Sequence, residues 1–386
     1  MAQKIRVALL TQTIDGRLAA GTALVARKYI EALLSRPGEF ELTFIHYEKS
    51  DDPIYSLGVR EVVLPAFRLP FLNRRFFRLI YYFRTTKDRF DIMQWFQPRL
   101  YPFFWWAPAK HIVATLHGAG DLDPDNPFVF MRTVFNWTLK TFHRKVAMAI
   151  AGSDYAKKDI VRGYGFEPAH VTVINNGIDA SFSPANPQEI ARVKEKYHLP
   201  EKFFLGVARH IPTKNVLRTI RAFEQFAAMY GKDDIHFVHV GSRSDDSQKL
   251  DAILEKSPVK DRTHLITYVE QSDLPALYSS AFALVFPILN EGFGLPAIEA
   301  MACGTPAILS KTAAPEIVQG EAMLVNVLSE KEIADAMYAL ANNPDLRAAV
   351  AQKGRAKAAT FTWEATGNKL IAIYRSFDPK STNSGL

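Results

Sequence analysis

The chain has 386 residues, more than one compact core usually organises. Its 48% hydrophobic and 23% charged residues are ordinary for a soluble globular protein, so two domains are expected. The single cysteine, Cys303, excludes an intrachain disulfide and suits a reducing compartment. Neither the N-terminal run MAQKIRVALLTQT nor any other stretch has the uncharged apolar length of a signal peptide or a membrane span. The formal charge of +7 is uneven: residues 1–200 hold 27 basic against 19 acidic side chains, and residues 201–386 hold 20 against 21.

In chain order, Ile5 to Leu10 is a β-type run. Gly16 and Gly21 punctuate the loop after it, and Thr22 to Leu34 reads as a helix. Leu42–His46, Val59–Leu64, Ile92–Trp95, Ile112–Leu116 and Val146–Ala151 are further strand-like runs, and Ser153 is placed to cap a helix starting at Asp154. A stretch with Pro184, Pro187 and a short charged helix at Glu189–Tyr197 reads as an interdomain connection. The pattern then restarts, with strands at Phe203–Val207, Ile235–Val240, Leu265–Tyr268 and Phe282–Phe286. Helices at Asn215–Tyr230, Ser247–Lys256 and Leu274–Ala281 alternate with them. Strands alternating with helices predict doubly wound α/β sheets. A last helix is expected at Trp363–Phe377.

Three stretches carry candidate chemistry. Phe282 to Pro287 is a buried parallel strand, Asn290 to Gly294 a turn with two glycines, and Leu295 to Met301 a helix with Pro296 in its first turn. Gly292 and Gly294 let backbone amides approach a ligand. The helix N-terminus aims N–H groups at the same spot, and strand C-terminal ends are where open α/β sheets bind. That combination suits a phosphorylated ligand, with Glu291 beside the turn and Glu299 inside the helix, placed to accept from a ribose diol. In GVARHIPTKNV, Arg209 and Lys214 lie five apart in a loop before a helix, a pair of cations suited to a diphosphate. His117 directly follows the strand Ile112–Leu116, at its C-terminal end.

The stretch Arg68 to Arg89 has seven basic residues and one acid, Asp88. On a helix Arg74, Arg75 and Arg78 share one side, and Leu72, Phe76, Leu79, Ile80 and Phe83 another. Two arrangements fit: docking on an anionic membrane surface, or packing of the aromatic face on the domain core. Phe103, Phe104, Trp95, Trp105 and Trp106 extend that surface, line an acceptor cleft, or fill the core. No nucleic-acid-binding motif accompanies the charge.

The motif NEGFGLPAIEAMACGTP, with its E-x7-E pair, its preceding VFP and its following APEI, resembles the signature of the retaining GT-B glycosyltransferases of family GT4. The resemblance implies two Rossmann-like α/β/α domains facing across a cleft, residues 1–182 with a helix at 363–386 crossing back, and residues 183–362. The first would take the acceptor and the second the nucleotide-sugar. It implies that Gly21 approaches the donor's phosphates, although a plain loop is the alternative, and that His117 contacts the donor sugar. Arg209 and Lys214 would stand in for a metal on the diphosphate, Gly241 would turn the chain under the nucleotide, and Val269 would meet the base through its backbone. Glu291, Gly292, Phe293, Gly294, Leu295 and Glu299 would complete the donor site, with His117, Glu291, Arg209 and Lys214 as the catalytic set. No metal or other cofactor is expected.

The resemblance also implies retention of configuration. A hexose would pass from a UDP- or GDP-linked donor to a lipid-linked or glycan acceptor in cell-surface polysaccharide synthesis, for example as a mannosyltransferase. The expected location is cytoplasmic, or peripheral on the cytoplasmic face. A nucleotide-sugar-binding or regulatory protein without turnover is the alternative. GFGLPA formally fits a dinucleotide fingerprint, but it comes late in the second α/β unit, and the first strand of neither half has one. Asp121, Asp123 and Asp125 alternate like metal ligands, yet Asn126 and Arg132 stand where an EF-hand needs Gly and Glu.

Overall fold

The computed structural model describes residues 4–14, 21–68, 75–96, 100–116, 129–244, 247–289, 293–312, 316–317 and 320–378. Backbone proximity divides the chain into two units, Met1–Gly177 with Trp363–Leu386, and Ile178–Thr362.

The first unit is a parallel sheet of β1 (Ile5–Leu10), β2 (Phe40–His46), β3 (Arg60–Val63), β4 (Phe90–Trp95), β5 (Ala109–Thr115), β6 (Met148–Ala151) and β7 (Val171–Val173), in the order β3-β2-β1-β4-β5-β6-β7. Helices α1 (Gly21–Leu34), α2 (Arg75–Thr85), α3 (Val129–Phe142) and α4 (Asp154–Tyr164) alternate with the strands. Central strands are apolar on both faces because both are covered. Val7 and Leu9 of β1 join one core cluster with Tyr29 and Ile30 of α1, and Ala8 and Leu10 join the other with Leu79 and Phe83 of α2. Ser153 caps α4, accepting from the Ala156 N–H at 3.0 Å.

The second unit has β8 (Phe203–Val207), β9 (His236–Val240), β10 (Thr263–Ile266), β11 (Ala283–Phe286), β12 (Ala307–Ser310) and β13 (Met323–Val325), in the order β10-β9-β8-β11-β12-β13. Its helices are α5 (Pro187–Lys196), α6 (Val216–Tyr230), α7 (Ser247–Leu254), α8 (Leu274–Ser280), α9 (Leu295–Ala302), α10 (Glu330–Asn342) and α11 (Pro344–Ala358). Phe203 and Leu205 of β8 face one cluster and Phe204 the other, repeating the two-sided burial of β1.

The last helix, α12 (Trp363–Ser376), returns to the first unit and packs on α1. Close approach is possible because Gly367 has no side chain: a Cβ there would lie 2.6 Å from that of Ala32. Leu370, Ile371 and Tyr374 enter the first unit's core. The Tyr374 hydroxyl donates to Gln94 Oε1 at 2.9 Å, and Arg375 pairs with both oxygens of Glu39 at 2.8 Å.

Helix α2 corrects the expectation for Arg78. This residue is not on a solvent or membrane face with Arg74 and Arg75 but buried. Its guanidinium donates to the carbonyls of Leu64 (2.6 Å), Pro65 (2.9 Å) and Tyr47, three main-chain acceptors at the ends of β2 and β3. A buried carbonyl needs a donor, and a planar guanidinium serves three at once. Leu79 and Phe83 of that apolar face are buried on the core, while Phe76 and Ile80 are half-buried. Arg74 and Leu72 lie outside the described residues.

Candidate functional site

The second unit's strand order creates a crevice. The chain starts at β8 in mid-sheet, builds outward to β9 and β10, and crosses back to β11 on the other side of β8. Connections after β8 and β11 therefore leave neighbouring strands in opposite directions, the point at which open α/β sheets bind ligands. Arg209 and Lys214 follow β8, Gly241 follows β9, Val269 follows β10, and Phe293, Gly294, Leu295 and Glu299 follow β11. The fold thus brings all eight to one end of one sheet.

Three hydrogen bonds join the loop after β8 to its neighbours. The Leu289 N–H donates to Thr213 O at 2.9 Å, and the buried Asn215 amide donates to Pro287 O (2.9 Å) and Val327 O (2.8 Å). Asn215 holds a left-handed backbone, φ 59°, a conformation asparagine tolerates better than most residues. This turn sets Lys214, whose ammonium lies 6.0 Å from the ring centre of Phe286 at the tip of β11. Arg209 is exposed at the same end. Gly241 has a structural reason to be glycine: a Cβ there would sit 1.7 Å from Ala208 O. The Ala208 N–H in turn donates to Val240 O at 3.0 Å, so the ends of β8 and β9 are clamped together. Val269 is buried in the core, whereas the Tyr268 side chain is exposed.

The glycine turn ends in Gly294, at φ 80°, where a Cβ would be strained. Helix α9 starts at Leu295. Pro296 has no N–H, and that of Ala297 donates to Gly294 O at 2.9 Å. The Phe293 ring is buried against Phe361, 5.3 Å between centres, and anchors the turn. Glu299, in the second turn of α9, accepts a 2.8 Å hydrogen bond on Oε2 from the Tyr278 hydroxyl of α8. Burial pushes its carboxyl up to about 7, against the opposing pull of that hydrogen bond. Tyr278 is held in turn by Thr305, which donates to its carbonyl at 2.6 Å.

His117, Glu291, Gly292 and the aspartates Asp121, Asp123 and Asp125 lie outside the described residues. Among the described residues no group of acidic, histidine or cysteine side chains could hold a metal ion. In the first unit Gly21 is the exposed first residue of α1. There the corresponding crossover lies between β1 and β4, and at the end of β1 sits a feature that sequence reasoning missed. Gln12 is buried with neither end of its amide hydrogen-bonded, and the Thr13 hydroxyl is buried and unpartnered as well. Unpaired buried polar groups are costly and concentrate at binding sites. The only sequence signal was their place directly after the first strand.

Two family models match consecutive parts of the chain: Glycosyltransferase Family 4 over residues 19–182 and Glycosyl transferases group 1 over residues 187–357. Among curated relatives, the O-antigen chain mannosyltransferase B of Escherichia coli is 26% identical over 241 residues, 61% of this chain and 63% of that protein. The O-antigen chain mannosyltransferase RfbU of Salmonella typhimurium is 29% identical over 221 residues, 57% of this chain and 58% of that protein. The chain thus spans about three fifths of the length of these relatives. Among solved structures, Anabaena Alr3699/HepE in complex with UDP and glucose superposes with a TM-score of 0.76 at 17% identity, covering 96% of this chain and 100% of that one. A sucrose-phosphate synthase from Thermosynechococcus elongatus gives 0.74 at 20% identity, covering 97% and 99%. These likenesses show a shared fold of two parallel-sheet units.

Proposed function

The chain belongs to the family 4, or group 1, glycosyltransferases, and we propose that it transfers a hexose from a UDP- or GDP-linked donor to an acceptor hydroxyl, retaining the anomeric configuration and using no metal. The observation that carries this reading is the meeting, at the β8/β11 crossover, of two cations, a glycine-led helix start and a buried carboxyl. Mannose is the hexose to test first, because two relatives are named O-antigen mannosyltransferases.

In this reading the base lies against the Val269 main chain and the ribose diol donates to Glu299. The diphosphate lies between Arg209, Lys214 and the amides of Gly294 and Leu295. Glu291, Gly292 and His117 hold the sugar. As the anomeric C–O bond breaks, its electron pair goes to the β-phosphate oxygen. The two cations and the amides stabilise that developing charge without reorganising. The acceptor oxygen bonds to the anomeric carbon on the same face, and its proton passes to the departing phosphate. Gln12 and Thr13 meet acceptor hydroxyls, which would supply the hydrogen bonds their buried groups lack.

The acceptor is a lipid-linked or oligosaccharide chain of a cell-surface glycan, and the reaction takes place on the cytoplasmic side. The single cysteine, Cys303, buried and unpaired, suits that reducing compartment. Released UDP or GDP, measured against a panel of nucleotide-sugars with and without saccharide acceptors, tests the proposal. Tight binding with no release under any condition would favour a binding protein without turnover.

A further inference from the structure

We propose that an exposed aromatic ridge on the first unit docks this protein on an anionic lipid bilayer. The ridge is distinct from Leu79 and Phe83 of α2, which are buried on the core; the half-buried Phe76 of α2 borders it, 6.4 Å from Phe103. It is built from the turn before β5 and from α3. Trp137, 56% exposed, packs edge-on against Phe142 (5.6 Å), and Phe142 lies 4.0 Å from Trp105. Trp105 is followed by Phe103 at 5.4 Å, and Phe103 stacks on Trp106 at 4.5 Å. Phe103 and Trp106 are 37% and 39% exposed.

This exposure is built in by the backbone. Phe103 has φ 65°, a left-handed conformation that a non-glycine residue holds only when its surroundings impose it. That kink starts the short helical turn Phe104–Trp106, so the Phe104 ring enters the core while Phe103 and Trp106 stay outside. Trp105 and Phe142 are partly buried against the core and link the exposed Phe103, Trp106 and Trp137, and large rings left exposed side by side mark an interaction surface.

Charge selects the occupant. The Arg84 guanidinium lies over the Trp106 ring at 5.1 Å, and Arg75, Lys140 and Arg144 are exposed on the flanking helical segments. Residues 129–145 contain no acid, and the one acid in 75–89, Asp88, bonds to Arg60 and Tyr82. Tryptophans with an apolar body and a polar edge, fringed by cations, match the chemistry of a headgroup layer bearing negative charge. No helix among the described residues is long and apolar enough to cross a membrane, so the contact is with the surface. The inference does not rest on the transfer reaction.

The test is co-sedimentation of the full chain with vesicles of phosphatidylcholine alone and with about one third phosphatidylglycerol, at roughly 0.1 M salt. The wild type should partition onto the anionic vesicles at least about tenfold more strongly than onto the neutral ones, with its tryptophan emission shifted to the blue. Trp106→Ser with Trp137→Ser, and separately Arg84→Glu with Lys140→Glu, should each lower that partition about tenfold with the melting temperature unchanged. The charge pair lies on exposed side chains and keeps the test decisive if the tryptophan pair unfolds. Equal partition on both vesicle types, or wild-type binding by a folded charge-reversal variant, would overturn the proposal. So would a wild type that ignores vesicles but dimerises through the two tryptophans, since the ridge would then belong to a second copy.

Discussion

Replacing Glu299 with glutamine separates two consequences of one buried carboxyl. Burial holds its pKa at about 7, against an ordinary value of 4.5. Ionising it therefore costs the folded chain about 3 kcal/mol relative to the unfolded one, at about 1.4 kcal/mol per pKa unit. Because the folded pKa is the raised one, the group's contribution to stability is full below about pH 4.5 and is lost as the pH rises through about 7. Glutamine keeps an oxygen for the Tyr278 hydroxyl and removes the charge. Urea titrations should find variant and wild type nearly equal near pH 4.5, and the variant about 2–3 kcal/mol more stable near pH 8. Binding should move the other way. A ribose diol donates to the ionised form, so wild-type affinity for UDP or GDP should rise about tenfold between about pH 6 and pH 8. The variant should lose that dependence and bind about tenfold more weakly near pH 8. A variant no more stable than wild type near pH 8, with a wild-type Kd flat across this range, would refute the assignment of Glu299 as a buried ribose acceptor.

Other outcomes follow from named contacts. Arg78→Leu leaves the carbonyls of Tyr47, Leu64 and Pro65 without their donor and should lower stability by about 3 kcal/mol, read from the urea midpoint. Asn215→Ala removes the bonds to Pro287 O and Val327 O. It should cost about 2 kcal/mol and also weaken nucleotide binding, measured calorimetrically, because Lys214 loses its support. Gly241→Ala sets a methyl against Ala208 O and should destabilise by about 1–3 kcal/mol whether or not nucleotide is present. EDTA should leave donor turnover intact, and full dependence on a divalent ion would return attention to Asp121, Asp123 and Asp125.

The sheets were legible because their central strands are buried on both faces and read as continuous apolar runs, such as IRVALL at β1 and FFLGV at β8. Strand β13 was not read: three residues at the sheet edge are too short for a period to register. Helices α10 and α11 lie beyond the motif, and α11 is an alanine-rich run with little contrast between its faces, so no helical period stands out there. At the site, glycines, cations and carboxylates were visible as residue types. Their supports were not, because those are set by distant segments. Tyr278 meets Glu299 across 21 positions, and Asn215 reaches Val327 across 112. Arg78 shows the same limit: helical spacing groups it with Arg75, yet the acceptors that bury it lie on other segments. Gly241 suggested a ligand by its place after a strand, while the structure supplies a neighbouring carbonyl as its reason.

The proposed seat for the diphosphate of a sugar nucleotide is the β8/β11 crossover. Its most direct test is nucleotide release from GDP- and UDP-sugars by wild type and by Lys214→Ala, with folding monitored by circular dichroism. Release by the wild type is expected on at least one donor with a saccharide acceptor, with a fall of at least about tenfold in turnover for the variant while its fold stays intact. A folded Lys214→Ala protein that turns over its donor at the wild-type rate would contradict that placement.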